Sequence, residues 1–329
     1  MKNLIESRVA IIIVSWNVKE YLGKCLSSVF QQTYSHFSVT FVDNGSTDGS
    51  IELVQMAFPA VKIISLVNNN GFAKANNIGI RLALEKKALY IVLLNVDTII
   101  HKDFLRELVI AAESDETIGS CQPKMLSMDN PKIIDAIGIT IRKNGKPMPS
   151  AHGKQDNDMY NQSKEIFGAT AGAVLYKSEM LEQIGLFEEE CFAYCEDVDL
   201  ALRARLAGWK CIYVPQAIAY HKHWVTFGKH SLSKKYFSIR NRYYYVIKNL
   251  PLCMVLEFLI RKSINIWGLI LRLPIQLVSL NMEGFHADTT ILKAHYHGIK
   301  NIPKMFRKRN EIRSRRVISD QELVQWFVE

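Results

Sequence analysis

A run of six apolar residues, Leu89-Tyr90-Ile91-Val92-Leu93-Leu94, closed by Asn95-Val96-Asp97, constrains this chain more than any other stretch. No polar residue alternates through it, so a strand here must be covered on both faces. That places it inside a mostly parallel sheet with helices above and below. Open sheets of this kind bind ligands in the crevice beyond their strand C-termini, and Asp97 stands at that end. Asp97 is therefore a candidate for holding a metal or a ligand hydroxyl. A turn or helix-cap role is the competing reading.

The preceding segments repeat the pattern. Residues 9–14, 37–42 and 61–66 read as strands. Between the first two, Val18, Tyr21, Leu22, Cys25, Leu26, Val29 and Phe30 recur at helical spacing. The second strand ends in Asp43-Asn44-Gly45, and the third leads through Asn68-Asn69-Asn70-Gly71 into a helix carrying Ala75, Ile78 and Leu82. A helix over 104–112 and a strand near 118–122 follow Asp97. Strand and helix alternate as in a doubly wound α/β sheet. No GxGxxG follows the first strand and no GxxxxGK[ST] occurs, which argues against a nicotinamide dehydrogenase or a P-loop enzyme.

Residues 139–146 read as a hairpin turning at Asn144-Gly145 within a polar region, 129–163. Residues 166–176 read as a strand whose Gly168, Ala169, Ala171 and Gly172 admit either a ligand or a tightly packed backbone. Glu196, Asp197 and Asp199 open a helix that stops at Gly208. Acids there complement the helix dipole. Three carboxylates in four positions also repel, raising the pKa of the least solvated one, as a general base requires. After a strand over 211–214 comes His221-Lys222-His223, a His-x-His ligand candidate.

The six cysteines form no CxxC pair and read as reduced thiols of a cytosolic protein; residues 1–8 lack signal-peptide shape. A net charge of +9 suggests an anionic partner: a phosphate-bearing substrate, a membrane surface or nucleic acid. Beyond Pro251, Leu256, Phe258, Leu259, Ile260, Ile266, Trp267, Ile270 and Leu271 form a wide apolar helix face broken by Arg261 and Arg272. The charges interrupt a transmembrane run and fit an interfacial amphipathic helix; packing on the catalytic domain or a dimer contact is the alternative. The tail adds Lys300, Lys304, Arg307, Lys308, Arg309, Arg313, Arg315 and Arg316, which would attract an acidic bilayer surface. No nucleic-acid reader accompanies them, so nucleic acid is not expected as a partner.

Seven motifs in order, IVSWN, VDNGSTDGS, NNNGFAKANNIGI, LLNVDT, GATAGAVL, YCEDVDLALRARLAGWK and AYHKH, resemble family 2 glycosyltransferases of the GT-A fold, most closely the bacterial rhamnosyltransferase-type members. The resemblance implies a GT-A-type, Rossmann-like sheet over residues 1–230 and a basic, amphipathic, membrane-associating helical extension over 231–329. It implies inverting transfer of rhamnose or another hexose from a dTDP- or UDP-sugar to a lipid-linked or polysaccharide acceptor in cell-surface glycan synthesis. The enzyme would be cytoplasmic, peripheral on the inner membrane face. By the same resemblance Ser15, Trp16, Asn17 and Asp43 would hold the nucleotide, and Gly71, Asn77, Arg81 and Asn95 would line the donor pocket. Asp97 and His221 would hold Mg²⁺ or Mn²⁺, and Asp197 would be the base, flanked by Glu196 and Asp199. Two positions depart from the pattern: Asn95 replaces the first acid of DxD, removing one charge near the metal, and Val96 replaces a proline. A catalytically inactive carbohydrate-binding module is the alternative. A nucleotidyltransferase would carry a glycine-rich basic loop after the first strand, where Ser-Trp-Asn-Val-Lys stands instead.

Overall fold

The computed structural model describes residues 8–222 and 231–329. The first half runs β1 (Val9–Ser15), α1 (Lys19–Phe30), β2 (Phe37–Asp43), α2 (Ser50–Ala57), β3 (Lys62–Ser65), α3 (Phe72–Glu85), β4 (Tyr90–Asn95), β5 (Thr98–Ile100), α4 (Phe104–Glu113) and β6 (Ile118–Ser127). Then come β7 (Ile134–Ala136), β8 (Ile139–Arg142), β9 (Pro147–Pro149), β10 (Lys164–Ile166), β11 (Ala173–Lys177), α5 (Ser178–Ile184), α6 (Glu196–Leu206) and β12 (Lys210–His221). The C-terminal region holds α7 (Leu232–Asn249), α8 (Leu252–Val278), α9 (Met282–Lys300), α10 (Ile302–Ser314), α11 (Asp320–Val324) and β13 (Phe327–Val328).

The apolar runs behave as two-faced strands. On β1, Ile11 and Ile13 enter one core while Ala10 and Ile12 enter the other; on β4, Val92 and Leu94 oppose Ile91 and Leu93 in the same way. The large sheet is ordered β3-β2-β1-β4-β11-β6-β12-β10. Its β1–β2, β2–β3, β1–β4 and β6–β12 pairings are parallel, and β11 runs antiparallel between β4 and β6. Each strand leading into the crevice therefore ends at the same edge.

Three expected strands change length. The 166–176 run divides into β10 and β11. The intervening Gly168 lies against helix α6, where an added Cβ would stand 2.4 Å from that of Ala201. Close backbone packing accounts for that glycine. The strand expected at 211–214 continues to His221, because β12 follows β6 and merely shifts register between Val214 and Ile218, where Pro215 has no N–H to donate. β6 likewise extends to Ser127. The Asn144-Gly145 hairpin forms as expected, with Gly145 at φ +76, and β13 adds to it beside β8.

The C-terminal helices share a core with α6. Tyr243, Tyr244 and Tyr245 are buried there with Val198, Leu202 and Leu206. Beneath them lies an ionic cluster. Lys248, 2% exposed, places Nζ 2.7 Å from Glu188 Oε2 and 3.0 Å from Asp199 Oδ2. Arg203 Nε donates to Asp199 at 3.0 Å, Asn249 donates to its other oxygen at 2.9 Å, and Lys308 reaches Glu188 at 2.7 Å. Much of the basic tail is likewise engaged internally. Lys304 pairs with Glu190, Arg309 donates to the carbonyls of Ile247 and Leu250, and Arg313 pairs with Asp320. Arg309 and Arg313 are thus occupied within the extension, while the surface pair leaves Lys304 about half exposed.

Helix α8 divides the expected apolar face. Phe258 is buried, 5.0 Å from the Tyr243 ring. Leu256, Ile260, Ile264, Trp267, Leu271 and Ile275 are each more than half exposed and form one stripe at helical spacing. No described helix is long and apolar enough to cross a membrane.

Two stability measurements test the cluster. Lys248→Met leaves Asp199 and Glu188 buried with too little positive charge, and urea unfolding should show a loss of about 3–5 kcal/mol. Burial opposes the charge on Asp199, but Lys248 and Arg203 outweigh it and pull the pKa down to about 2. A carboxylate depressed in the folded state stabilises fully above its unfolded value and loses that contribution as pH falls through its folded value. The stability gap between the wild type and Asp199→Asn should therefore be constant above about pH 4. It should shrink on acidification towards about 2, as read from urea midpoints against pH.

Candidate active site

Beyond the strand ends lies a cavity of about 640 Å³. The end of β1 contributes Ser15 and Trp16, and the end of β4 contributes Asn95, Val96 and Asp97. The start of α6 presents Glu196 and Asp197, β12 presents His221, and α7 brings Lys234. The polar segment 129–163 supplies Asp135, Ala136, Pro149 and His152 as one wall. Asp97 and Asp197, a hundred positions apart, thus face one space large enough for a sugar nucleotide.

The rim before α6 is strained. Phe192, Tyr194 and Cys195 have φ of 60, 69 and 67, a region costly for residues with a Cβ. The buried amide of Asn241 holds this loop, donating to the carbonyls of Cys191 (2.8 Å), Ala193 (2.8 Å) and Tyr194 (2.7 Å). Gly71 completes the rim at φ +82, where a Cβ would lie 2.5 Å from the Phe192 carbonyl oxygen. Only glycine fits that approach.

The two carboxylates at the start of α6 differ in support. Burial raises the pKa of both. Asp197 accepts hydrogen bonds from the Val198 N–H (2.8 Å) and the Ala171 N–H (3.4 Å), which restrain the rise. Glu196 Oε2 is buried with no hydrogen-bond partner among the described residues, and the neighbouring Asp197 charge pushes it well up. Burial thus favours the neutral form of both, and of Glu196, whose Oε2 lacks a partner among the described residues, more than of Asp197.

On the opposite side, His221 Nε2 is 3.4 Å from Asp97 Oδ1 and 3.5 Å from the Asn95 amide nitrogen. Its Nδ1 is 2.8 Å from Asp135 Oδ2. Burial opposes charge on this imidazole, but Asp135 and Asp97 prevail and push its pKa up to about 10. Adjacent ligands at about 2.1 Å from one octahedral cation lie about 3 Å apart. The Asp97 and His221 donors fit that spacing. No group of three or more His, Cys, Asp or Glu around one ion position occurs among the described residues. His223 lies outside the described residues.

Other sequence candidates are placed differently. Asp43 is fully buried beside Ser15 in the β1–β2 register; Oδ2 accepts from the Ser46 N–H at 3.0 Å, and Oδ1 has no described partner. Asn17 turns its side chain to the Thr47 N–H at 2.8 Å. Neither Asn77 nor Arg81 lines the cavity. Asn77 bonds both the N–H and the C=O of Phe187, and Arg81 pairs with Glu189 at 2.5 Å, so both tie α3 to the loop before α6. Asp199 points into the ionic cluster, away from the cavity. Sequence reasoning missed Asp135, Asn241 and Lys234. None has a local signal, since each acquires its neighbours through long-range pairing.

The family model for glycosyl transferase family 2 matches residues 10–185. The chain is 30% identical over 118 residues to Glycosyltransferase GlyG of Streptococcus pneumoniae, covering 34% of this chain but only 38% of that relative. It is 26% identical over 235 residues to the N-acetylglucosaminyl-diphospho-decaprenol L-rhamnosyltransferase of Mycobacterium tuberculosis, covering 64% of this chain and 75% of that one. Among solved structures, the mannosyltransferase PcManGT of Pyrobaculum calidifontis, in complex with GDP-Man and Mn²⁺, superposes with a TM-score of 0.54 at 16% identity. That match spans 90% of this chain and 87% of the other, and likeness at this identity bears on the fold alone. With the model match covering more than half of its length, and a GT-A sheet carrying the matched motifs, this chain belongs to glycosyl transferase family 2.

Proposed function

We propose that the protein is an inverting glycosyltransferase that moves rhamnose or another hexose from a nucleoside-diphosphate sugar, dTDP- or UDP-linked, to a hydroxyl of a lipid-linked or polysaccharide acceptor. The observation that carries this reading is the shared cavity of Asp97 and Asp197. The named rhamnosyltransferase among the relatives supports the sugar and the lipid-linked acceptor.

In this reading Asp197 takes the proton of the acceptor hydroxyl while its oxygen attacks the anomeric carbon. The bond to the diphosphate oxygen breaks on the opposite face, so configuration inverts. Glu196, protonated, keeps a second negative charge away from the base. Asp97 and His221 would hold a divalent cation, which when bound neutralises charge on the departing diphosphate. The imidazole donor favours Mn²⁺ over Mg²⁺. Ser15, Trp16 and Gly71 would contact the donor, with Asp43 and Asn17 acting through the loop they brace. Residues 1–230 would form the catalytic unit and 231–329 the extension, the division falling at residues outside the described ones. Through the exposed stripe of α8 the extension would rest on the cytoplasmic face of the membrane.

Nucleoside diphosphate release from a panel of nucleotide sugars, with Mn²⁺ and a lipid-linked acceptor, tests the reading. Asp197→Asn should lower kcat by about 10²–10⁴ and leave donor binding intact. Because the base must be ionised and its pKa is raised, wild-type kcat/KM should fall with acidification at a pH above the ordinary carboxylate range. A wild-type protein that binds a nucleotide sugar without turnover would overturn the proposal in favour of an inactive binding module. For the membrane, Ile264→Glu and Trp267→Glu should each weaken co-sedimentation with phosphatidylglycerol vesicles roughly tenfold or more, given ~1.5–3 kcal/mol per buried apolar side chain. Unchanged sedimentation would remove α8 as the contact.

A further inference from the structure

Asp135 is 3% exposed and lies on β7, within the polar segment that walls the cavity. Its position is set by an irregularity in strand pairing. On β6, Met125 and Leu126 are adjacent, yet their partners on β7 are Ala136 and Ile134. Asp135 is thus the extra residue of a β-bulge, a device that re-aims a side chain. The packing agrees, since Ile134 and Ala136 enter different cores although two residues apart on one strand. β6 in turn pairs with β12, Ser127 opposite His221. The bulge therefore turns Asp135 onto His221, with Oδ2 at 2.8 Å from Nδ1, while His152 Nδ1 lies 2.8 Å from the Asp135 carbonyl oxygen and 3.6 Å from Oδ1.

We propose that Asp135 is a positioning residue: it accepts the Nδ1–H of His221 and holds the ring with Nε2 towards Asp97, so that cation affinity depends on a carboxylate that does not touch the cation. This rests on the reading of Asp97 and His221 as metal ligands. An imidazole free to rotate or change tautomer would have to be ordered each time a cation bound. A second carboxylate on the far nitrogen removes that cost and makes the coordinating nitrogen a better donor. If Asp135 were only a buried ion-pair partner that pins segment 129–163 to β12, its loss would lower stability and leave metal affinity unchanged in the folded fraction.

The test is Mn²⁺ titration of the full chain, read from the electron paramagnetic resonance signal of free Mn²⁺ with UDP present, alongside the metal-free Tm. Asp135→Ala should weaken Mn²⁺ binding about 10–100-fold. Asp135→Asn, which retains an oxygen for the Nδ1–H, should recover part of that affinity and serves alone if the alanine variant does not fold. Wild-type affinity in the variants, or affinity falling only with the folded fraction, would overturn the inference and leave Asp97 and His221 standing as ligands. If the wild-type chain bound no Mn²⁺, the metal reading itself would fall and this inference with it.

Discussion

One buried ammonium, that of Lys248, sets the orientation of the helix on which the candidate base stands. Four charges meet there, two from Glu188 and Asp199 and two from Lys248 and Arg203, so the cluster is neutral before Lys308 joins at its edge. Desolvating four charges is offset only where nearly every donor is used. Arg203 fulfils that condition by giving its remaining N–H groups to the carbonyls of Ile184, Gly185 and Leu186. The end of α5, the loop after it, α6 and α7 are thereby fixed to one another. Residues two apart on a helix point about 200° apart. Anchoring Asp199 inward consequently turns Asp197 outward, into the cavity. The acid two positions from the candidate base is held in the ionic cluster, and so anchors the helix from which Asp197 faces the ligand space.

The same logic governs the loop just before α6. Three residues held at positive φ cost on the order of 1–3 kcal/mol each, and such a conformation persists only where its surroundings over-determine it. Asn241 supplies that constraint from α7, with three carbonyls around one amide. Arg240 adds bonds to the carbonyls of Glu190 and Cys191, each at 2.8 Å. The C-terminal helices are therefore part of the apparatus that shapes the cavity rim. Removing them would expose Val198, Leu202 and Leu206 and also release the strained loop, so cavity shape and the extension are energetically one problem.

What was legible in the sequence follows from which signals are local. A two-faced strand announces itself by an unbroken apolar run, and β1 and β4 were readable for that reason. Asp97, Asp197 and His221 were readable because each closes or opens a strand or helix with an obvious pattern. Antiparallel β11 was not, since strand direction depends on where the chain returns from. Asp135 was hidden because a bulge is a property of two strands, and His221, the side chain it meets, lies 86 residues away. Asp199, Asn77 and Arg81 illustrate the converse: a motif places a residue near the site in sequence, while burial and pairing decide whether it faces the cavity. The basic tail is similar in part, because several of its cations have acidic and carbonyl partners elsewhere in the fold that no local count reveals.

The distribution of charge bears on how an anionic ligand could be held at all. Although the chain carries a net +9, the cavity collects four carboxylates, those of Asp97, Asp135, Glu196 and Asp197. Lys234 is the one lysine or arginine among the described residues that line it. A diphosphate entering such a space meets repulsion rather than attraction unless that charge is cancelled. Two features do so in part: the raised pKa of Glu196, which favours its neutral form, and the Lys234 ammonium among the lining groups. The balance that remains matches what a divalent cation beside Asp97 would provide. The positive surplus of the sequence therefore does not itself mark the substrate site. It lies largely in the C-terminal helices, where Lys248 and Lys308 meet Glu188 beside α6 and Arg309 and Arg313 bind the helices to one another.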